Sequence, residues 1–130
     1  MNLESPKVSV QKSSLYIFEF LAIVENFEKI MPENTDKFEV RENGFLFALK
    51  GMPVIKVKMH ELTPSEKVVL TSANDQFPFT LTGNITEIND GSSHVQFVFN
   101  GKFNMMMSMM IKGPLQKFID TLSVNIADIT

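Results

Sequence analysis

Apolar and polar residues alternate from Leu3 to Lys12, weakly at first and then with Val8 and Val10 on one face, and predict an opening strand. Ser13-Ser14 offers an N-cap, and Leu15, Phe18, Leu21 and Ala22 then recur at helical spacing. Neither serine has Glu or Gln three residues on, so there is no capping box. Ile17, Phe20 and Val24 widen the stripe, which suggests a helix packed on more than one side. A second helical piece over about Glu25–Met31 stops at Pro32, so Ser13 to Met31 is one helix or two short ones bent near Val24.

From Asp36 to Gly101 the pattern is strand and turn. Asn43-Gly44 signals a two-residue type I′ hairpin, which pairs Val40 with Phe47 and Phe38 with Leu49 and keeps the apolar partners on one face. A tight turn at Lys50-Gly51-Met52-Pro53 leads into Ile55, Val57 and Met59 alternating with Lys56, Lys58 and His60, the mark of a half-buried antiparallel strand. Thr63-Pro64-Ser65 turns the chain; Val68 and Leu70 then point one way and Val69 and Thr71 the other. Asn74-Asp75-Gln76 turns it again into Phe79, Leu81, Gly83 and Ile85. For the last hairpin, a loop at Asp90-Gly91 alone sets Ile85 against polar Gln96. A loop of Asn89-Asp90-Gly91, with Gly91 as a G1 bulge, pairs Ile85 with Val95, Gly83 with Phe97 and Leu81 with Phe99, and keeps one face apolar. Gly83 inside a strand marks a bend or a close approach.

The end of the chain reads as two helical parts. Asn104–Ile111 is a Met-rich turn or short helix. Gly113-Pro114 breaks it, with Pro114 at the first position of a helix over Pro114–Ile129. Leu115, Phe118, Ile119, Leu122, Ile126 and Ile129 form its apolar stripe, opposite Gln116, Lys117, Asp120, Thr121 and Asp128. The sheet is the one large surface able to cover that stripe.

With 130 residues, residues 1–130 suit a single domain. The longest apolar runs, Leu15–Val24 and Met105–Ile111, are interrupted by Glu19 and Ser108 and fall short of the roughly 18 residues of a membrane span, so no integral membrane segment is expected. Met1-Asn2-Leu3-Glu4 lacks the basic start and apolar core of a signal peptide, and cytoplasmic location is the expectation. The net charge is −3, and Arg41 is the only Arg among 12 basic residues, which argues against nucleic acid as a partner. The absence of Cys removes disulfides, thiolate nucleophiles and Cys-ligated metal.

Candidate chemistry is sparse. His60 and His94 are the general bases with a pKa near neutrality, but both read as exposed strand residues without an Asp, Glu or Ser at useful local spacing. Two separated His do not supply the ligands a metal needs, and no phosphate loop or nucleophile elbow is present. No catalytic residue, metal or cofactor is therefore assigned. Ser13-Ser14 and Ser92-Ser93 are explained as cap and turn, while Tyr16, Asn84, Gln96 and Asn104 are polar groups that, if buried, need a partner or orient a ligand. Five of the nine Met fall at Met105, Met106, Met107, Met109 and Met110, and a helix there turns them in nearly every direction. They are either core filler or a pliable wall at the mouth of a pocket.

The order of strand, two short helices, six antiparallel strands and a long C-terminal helix resembles the START-like helix-grip (SRPBCC) superfamily, which includes plant pollen allergens, lipid-transfer domains and polyketide cyclases. Glu25–Pro32 (ENFEKIMP), the Asn43-Gly44 hairpin and Gly113-Pro114-Leu115 carry the local likeness, which extends over essentially the whole chain. The resemblance implies an α+β fold, a curved seven-stranded antiparallel sheet wrapped around the C-terminal helix, with a cavity between them for a hydrophobic or amphipathic small molecule. Its expected lining is Phe38, Phe47, Val57, Met59, Leu70, Phe79, Leu81, Phe97 and Phe99 from the sheet, Phe118 and Leu122 from the helix, and Met106 and Met110 from the Met-rich stretch. Two other functions stay open: a polyketide cyclase or dehydratase-like enzyme, and a protein-interaction module docking through the Met cluster.

Overall fold

The computed structural model describes residues 1–73 and 78–129. The described strands form one open antiparallel sheet in the order β1-β8-β7-β6-β5-β4-β3, and β2 also pairs with β8. They are β1 (Asn2–Glu4), β2 (Val8–Val10), β3 (Thr35–Arg41), β4 (Gly44–Leu49), β5 (Ile55–Thr63), β6 (Lys67–Ser72), β7 (Phe79–Asn89) and β8 (Ser92–Gly101). Helix α1 (Ser14–Leu21) and a 3-10 helix (Val24–Ile30) separate β2 from β3, and α2 (Met105–Ala127) ends the fold. The turn expected at Asn74-Asp75-Gln76 lies outside the described residues.

The opening strand is split in two, and Pro6 explains the split. Leu3 pairs with Phe99 and Val8 with Val95, so five steps on this strand match four on β8. Proline has no N–H to give the ladder. Ser5 repairs the gap: its N–H donates to Phe97 O, and its buried Oγ accepts from the Phe97 N–H at 2.9 Å. Counted as one bulged strand, β1 and β2 complete the seven-stranded sheet.

The Ser13 hydroxyl caps α1, accepting from the Tyr16 N–H. The buried side of α1 is Ser14, Ile17 and Leu21, while Leu15 faces solvent, so the apolar stripe lies one position away from its expected phase. The reason is Gly83. A Cβ there would stand 3.2 Å from Leu21 Cδ1 and 3.3 Å from the Phe97 ring, so the glycine is the seat into which Leu21 packs. The chain then bends at Ile23, and the second piece is a 3-10 helix burying Phe27 and Ile30.

The β3–β4 hairpin is offset by two residues from its expected register. Val40 pairs with Phe45, Phe38 with Phe47 and Thr35 with Leu49. The loop is Glu42-Asn43, where Asn43 has φ +58° and its neighbours do not, so it is not a type I′ turn. Gly44 belongs to the strand because a Cβ there would collide with Val57 O on β5. An offset of two preserves the faces, and Phe45, Phe47 and Leu49 still point inward. On β3, the Lys37 ammonium and then Arg41 hold the exposed Glu39 carboxyl below the ordinary carboxylate range. These charges guard an open sheet edge.

In the last hairpin Ile85–Val95, Gly83–Phe97 and Leu81–Phe99 pair as expected. The extra residue is Ile88, however, and the turn is Asp90-Gly91, with no positive φ at Gly91. The Asn89 side chain accepts from both Gly91 N–H and Ser92 Oγ and tightens this turn.

Helix α2 is continuous through Gly113-Pro114, contrary to the expected break. Asn104 caps it by accepting from the Met107 N–H at 2.8 Å. Pro114 deprives the Met110 carbonyl of its helical donor, but both residues are exposed, so water can replace the lost bond. Burial changes abruptly at that point. No residue of 105–114 is buried, whereas Leu115, Phe118, Ile119, Leu122, Ser123 and Ile126 all are. That half lies against the sheet and the 3-10 helix, with Phe118 stacked on Phe47 at 5.1 Å. Asn125 donates to the carbonyls of Ile30 and Met31, and Gln116 to Glu4 O, fixing the helix at both ends of its packed half.

Two stability predictions follow from these contacts. Leu122→Ala should cost about 2–5 kcal/mol in chemical denaturation, and a loss well under about 1 kcal/mol would make α2 peripheral. Ser5→Ala strands a buried N–H, and a cost of about 1–3 kcal/mol is expected; an unchanged midpoint would mean another group takes the Phe97 N–H.

Candidate functional site

The inner face of the sheet is longer than the packed half of α2. Where the helix turns from buried to exposed, the two surfaces part and leave a cleft of about 450 Å³. Met52, Pro53, Val54, Ile55 and Lys56 form one wall, from the β4–β5 connection and the start of β5. Phe79, Phe99 and Phe103 form the floor, Met107, Ile111 and Leu115 of α2 the other wall, and Ser72 and Ala73 one end. The volume lies in the range of small-molecule sites, and the lining is mostly apolar, as such sites require.

The floor is an aromatic row. Phe79 stacks on Phe99 with centroids 5.0 Å apart, and Phe99 faces Phe103 at 6.2 Å. Gly101 makes the row possible: a Cβ there would stand 2.6 Å from Phe103 Cε2 and 3.0 Å from Phe79 Cβ. The Thr71 hydroxyl donates to Phe79 O and holds the β6 and β7 ends together beneath it.

Of the expected lining, Phe79 and Phe99 meet in this cleft. Phe47, Val57, Leu70, Leu81, Phe97, Phe118 and Leu122 are buried in the packed core next to it, and Phe38 and Met59 are half-buried at its periphery. Phe38 stacks instead on Phe45, which also stacks on Phe27. Met106 and Met110 stand outside, 75% and 71% exposed. Helical phase decides this: Met107 and Ile111 continue the Leu115–Leu122 stripe backward by fours and sevens, and Met106 and Met110 do not. That continuation was the available signal for Met107 and Ile111, hidden by the assumption of a break at Pro114. Met52, Val54 and Phe103 are also newly placed, and a connection without period gives no sequence signal for them.

Of the remaining polar candidates, Asn84 is half-buried on β7 opposite Gln96, and the others have structural contacts. Gln96 donates to Ser5 O, Asn104 caps α2, and Tyr16 lies exposed beneath the Lys12 ammonium. His60 is the extra residue of a bulge between Met59 and Glu61, and His94 is exposed opposite Thr86. Among the described residues, no three His, Asp or Glu side chains converge on a metal-sized site. A larger groove of about 810 Å³ runs along α1, the 3-10 helix and the end of α2, but Glu19, Lys29, Glu33 and Asp128 line it and leave it unsuited to an apolar molecule.

No family model and no curated protein matches the chain. Solved structures do match it. A START superfamily protein from Mycobacterium smegmatis superposes with a TM-score of 0.69 at 11% identity, covering 97% of this chain and 94% of that one. Norcoclaurine synthase from Thalictrum flavum, in complex with dopamine and hydroxybenzaldehyde, gives 0.70 at 10% identity, covering 100% and 88%. An uncharacterized protein from Bacillus thuringiensis gives 0.67 at 11% identity, covering 98% and 100%. At such identities the likeness is one of architecture: the chain has the START-like helix-grip fold.

Gly101→Ala must push Phe103 from its seat, and a measurable loss of apolar-probe binding in the cleft is expected. Wild-type affinity in a folded Gly101→Ala protein would show that the aromatic row does not shape the site.

Proposed function

We propose that the protein binds a hydrophobic or amphipathic small molecule in the cleft between the first half of α2 and the sheet. The observation that carries this reading is the half-buried apolar lining itself. Phe79, Phe103, Met107 and Ile111 are each partly exposed toward a space of about 450 Å³, where a filled core would bury them. Covering them with a ligand gains about 25 cal/mol per Å² of apolar surface removed from water. The thioethers of Met52 and Met107, on opposite walls, can repack around different shapes. Ser72, which pairs with inward-facing Val57, brings a hydroxyl to one end of the same cleft and suits a ligand with a polar head. Binding of a small molecule agrees with a shared fold whose members include a synthase holding dopamine and hydroxybenzaldehyde.

An apolar fluorescent probe titrated into wild type and into Met107→Gln, Ile111→Gln protein tests the assignment. The double variant should bind about tenfold more weakly, the worth of ~50 Å² of apolar contact. Met106→Gln, Met110→Gln protein, altered on the outer side of the same turns, should bind the probe as wild type does. Equal affinity in all three would remove the cleft as the binding site.

A further inference from the structure

The outer side of the first turns of α2 is left without a use by the cleft. Met105, Met106, Met109 and Met110 are 71–81% exposed. At 100° per residue they span an arc of about 140° on the helix, away from the arc that Met107 and Ile111 turn to the cleft. Val54, across the cleft, is also exposed. Four adjacent, nearly bare Met side chains make an apolar patch of the kind that marks an interaction surface.

The charges around the patch say what it meets. Residues 43–60 and 91–119, the segments that supply both walls of the cleft, carry Lys50, Lys56, Lys58, Lys102, Lys112 and Lys117 and no Asp or Glu. All fifteen acidic residues lie elsewhere in the sequence of a chain whose net charge is −3, and one of them, Glu33, lines a groove with Lys50, Met52 and Lys117. The first acid along α2 is Asp120, which is engaged by Gln116. Among the described residues, none of these six Lys pairs with a carboxylate. Lys102 and Lys112 bracket the Met turns in sequence, and both are exposed. A second copy of the chain would bring like charge against like charge. An anionic lipid bilayer instead offers hydrocarbon for the Met side chains and phosphate for Lys102 and Lys112.

We propose that this rim docks on an anionic membrane surface, with the first turns of α2 lying in the interface plane and the mouth of the cleft beside the lipid. The proposal builds on the ligand-binding reading, because a cleft opening there exchanges an apolar ligand with the bilayer without taking it through water. The docking itself is testable without any ligand.

The test is co-sedimentation of the full chain with vesicles of phosphatidylcholine alone and of equimolar phosphatidylcholine and phosphatidylserine, with the cleft probe titrated in parallel. Wild type should bind the mixed vesicles and not the neutral ones, and lose binding as salt rises. Lys102→Gln, Lys112→Gln protein should bind about thirty-fold more weakly, at about fivefold for each lysine near the surface. Met106→Gln, Met110→Gln protein should lose about tenfold or more with its probe affinity unchanged. Wild-type protein that ignores mixed vesicles, that binds both vesicle types equally, or whose variants sediment as it does, overturns the proposal. So does self-association of wild type that the Met variant abolishes in vesicle-free solution, since the patch would then join copies of the chain. Vesicle binding without probe binding would support docking and count against the ligand-binding reading, so the two can fail separately.

Discussion

Leu115, Phe118, Ile119, Leu122 and Ile126 lie along one side of α2, and none is more than 3% exposed. They are what the sheet closes upon. Phe47 of β4 stacks on Phe118, Asn125 ties the helix to the 3-10 turn, and Gln116 ties it to the first strand. An open antiparallel sheet with one apolar face has to bury that face, and this half-helix is the long element laid across it. The glycines follow from the same demand for contact. Gly83 yields to Leu21 of α1, and Gly44 yields to the β5 backbone.

The stripe is shorter than the helix, and the proposed function rests on that difference. Beyond Pro114 the helix goes on as helix but no longer as core. Its inward positions become Met107 and Ile111, half-buried, over an aromatic floor that Gly101 lets Phe103 complete. One backbone hydrogen bond is missing at the boundary, and the side chains beyond it are those that repack most cheaply. The same few turns thus present a pliable wall to the cleft and four exposed Met to the outside. A packed end secures the fold, and a loose end provides the opening.

What was legible in the sequence was whatever local pairing decides. The β7–β8 register could be read because only one alignment keeps Ile85, Leu81, Val95 and Phe99 together. The end of the helical stretch before Pro32 was legible from its stop signal, though whether it is one helix or two was not, and the stripe of α2 was legible from its spacing. What failed depended on contacts between distant segments. Gly44 resembles a turn residue until β5 is seen against it, and Leu15 resembles core until Leu21 is seen in the Gly83 seat. The continuity of α2 through Pro114 rests on solvent reaching Met110, a matter of exposure that spacing does not encode. Strand parity turns Phe79 and Phe99 to the inner face, whereas Met52 and Val54 sit in a connection without period.

The central claim is that the cleft at the end of the packed helix is built to hold a small apolar molecule. Native mass spectrometry of freshly purified, untagged protein, alongside Met107→Gln, Ile111→Gln protein prepared identically, tests it most directly. The account predicts an added mass on the wild-type chain, released on denaturation and depleted in the variant. An added mass retained equally by the variant, or a wild-type chain that carries none and takes up none from a pool of amphipathic compounds, would contradict it.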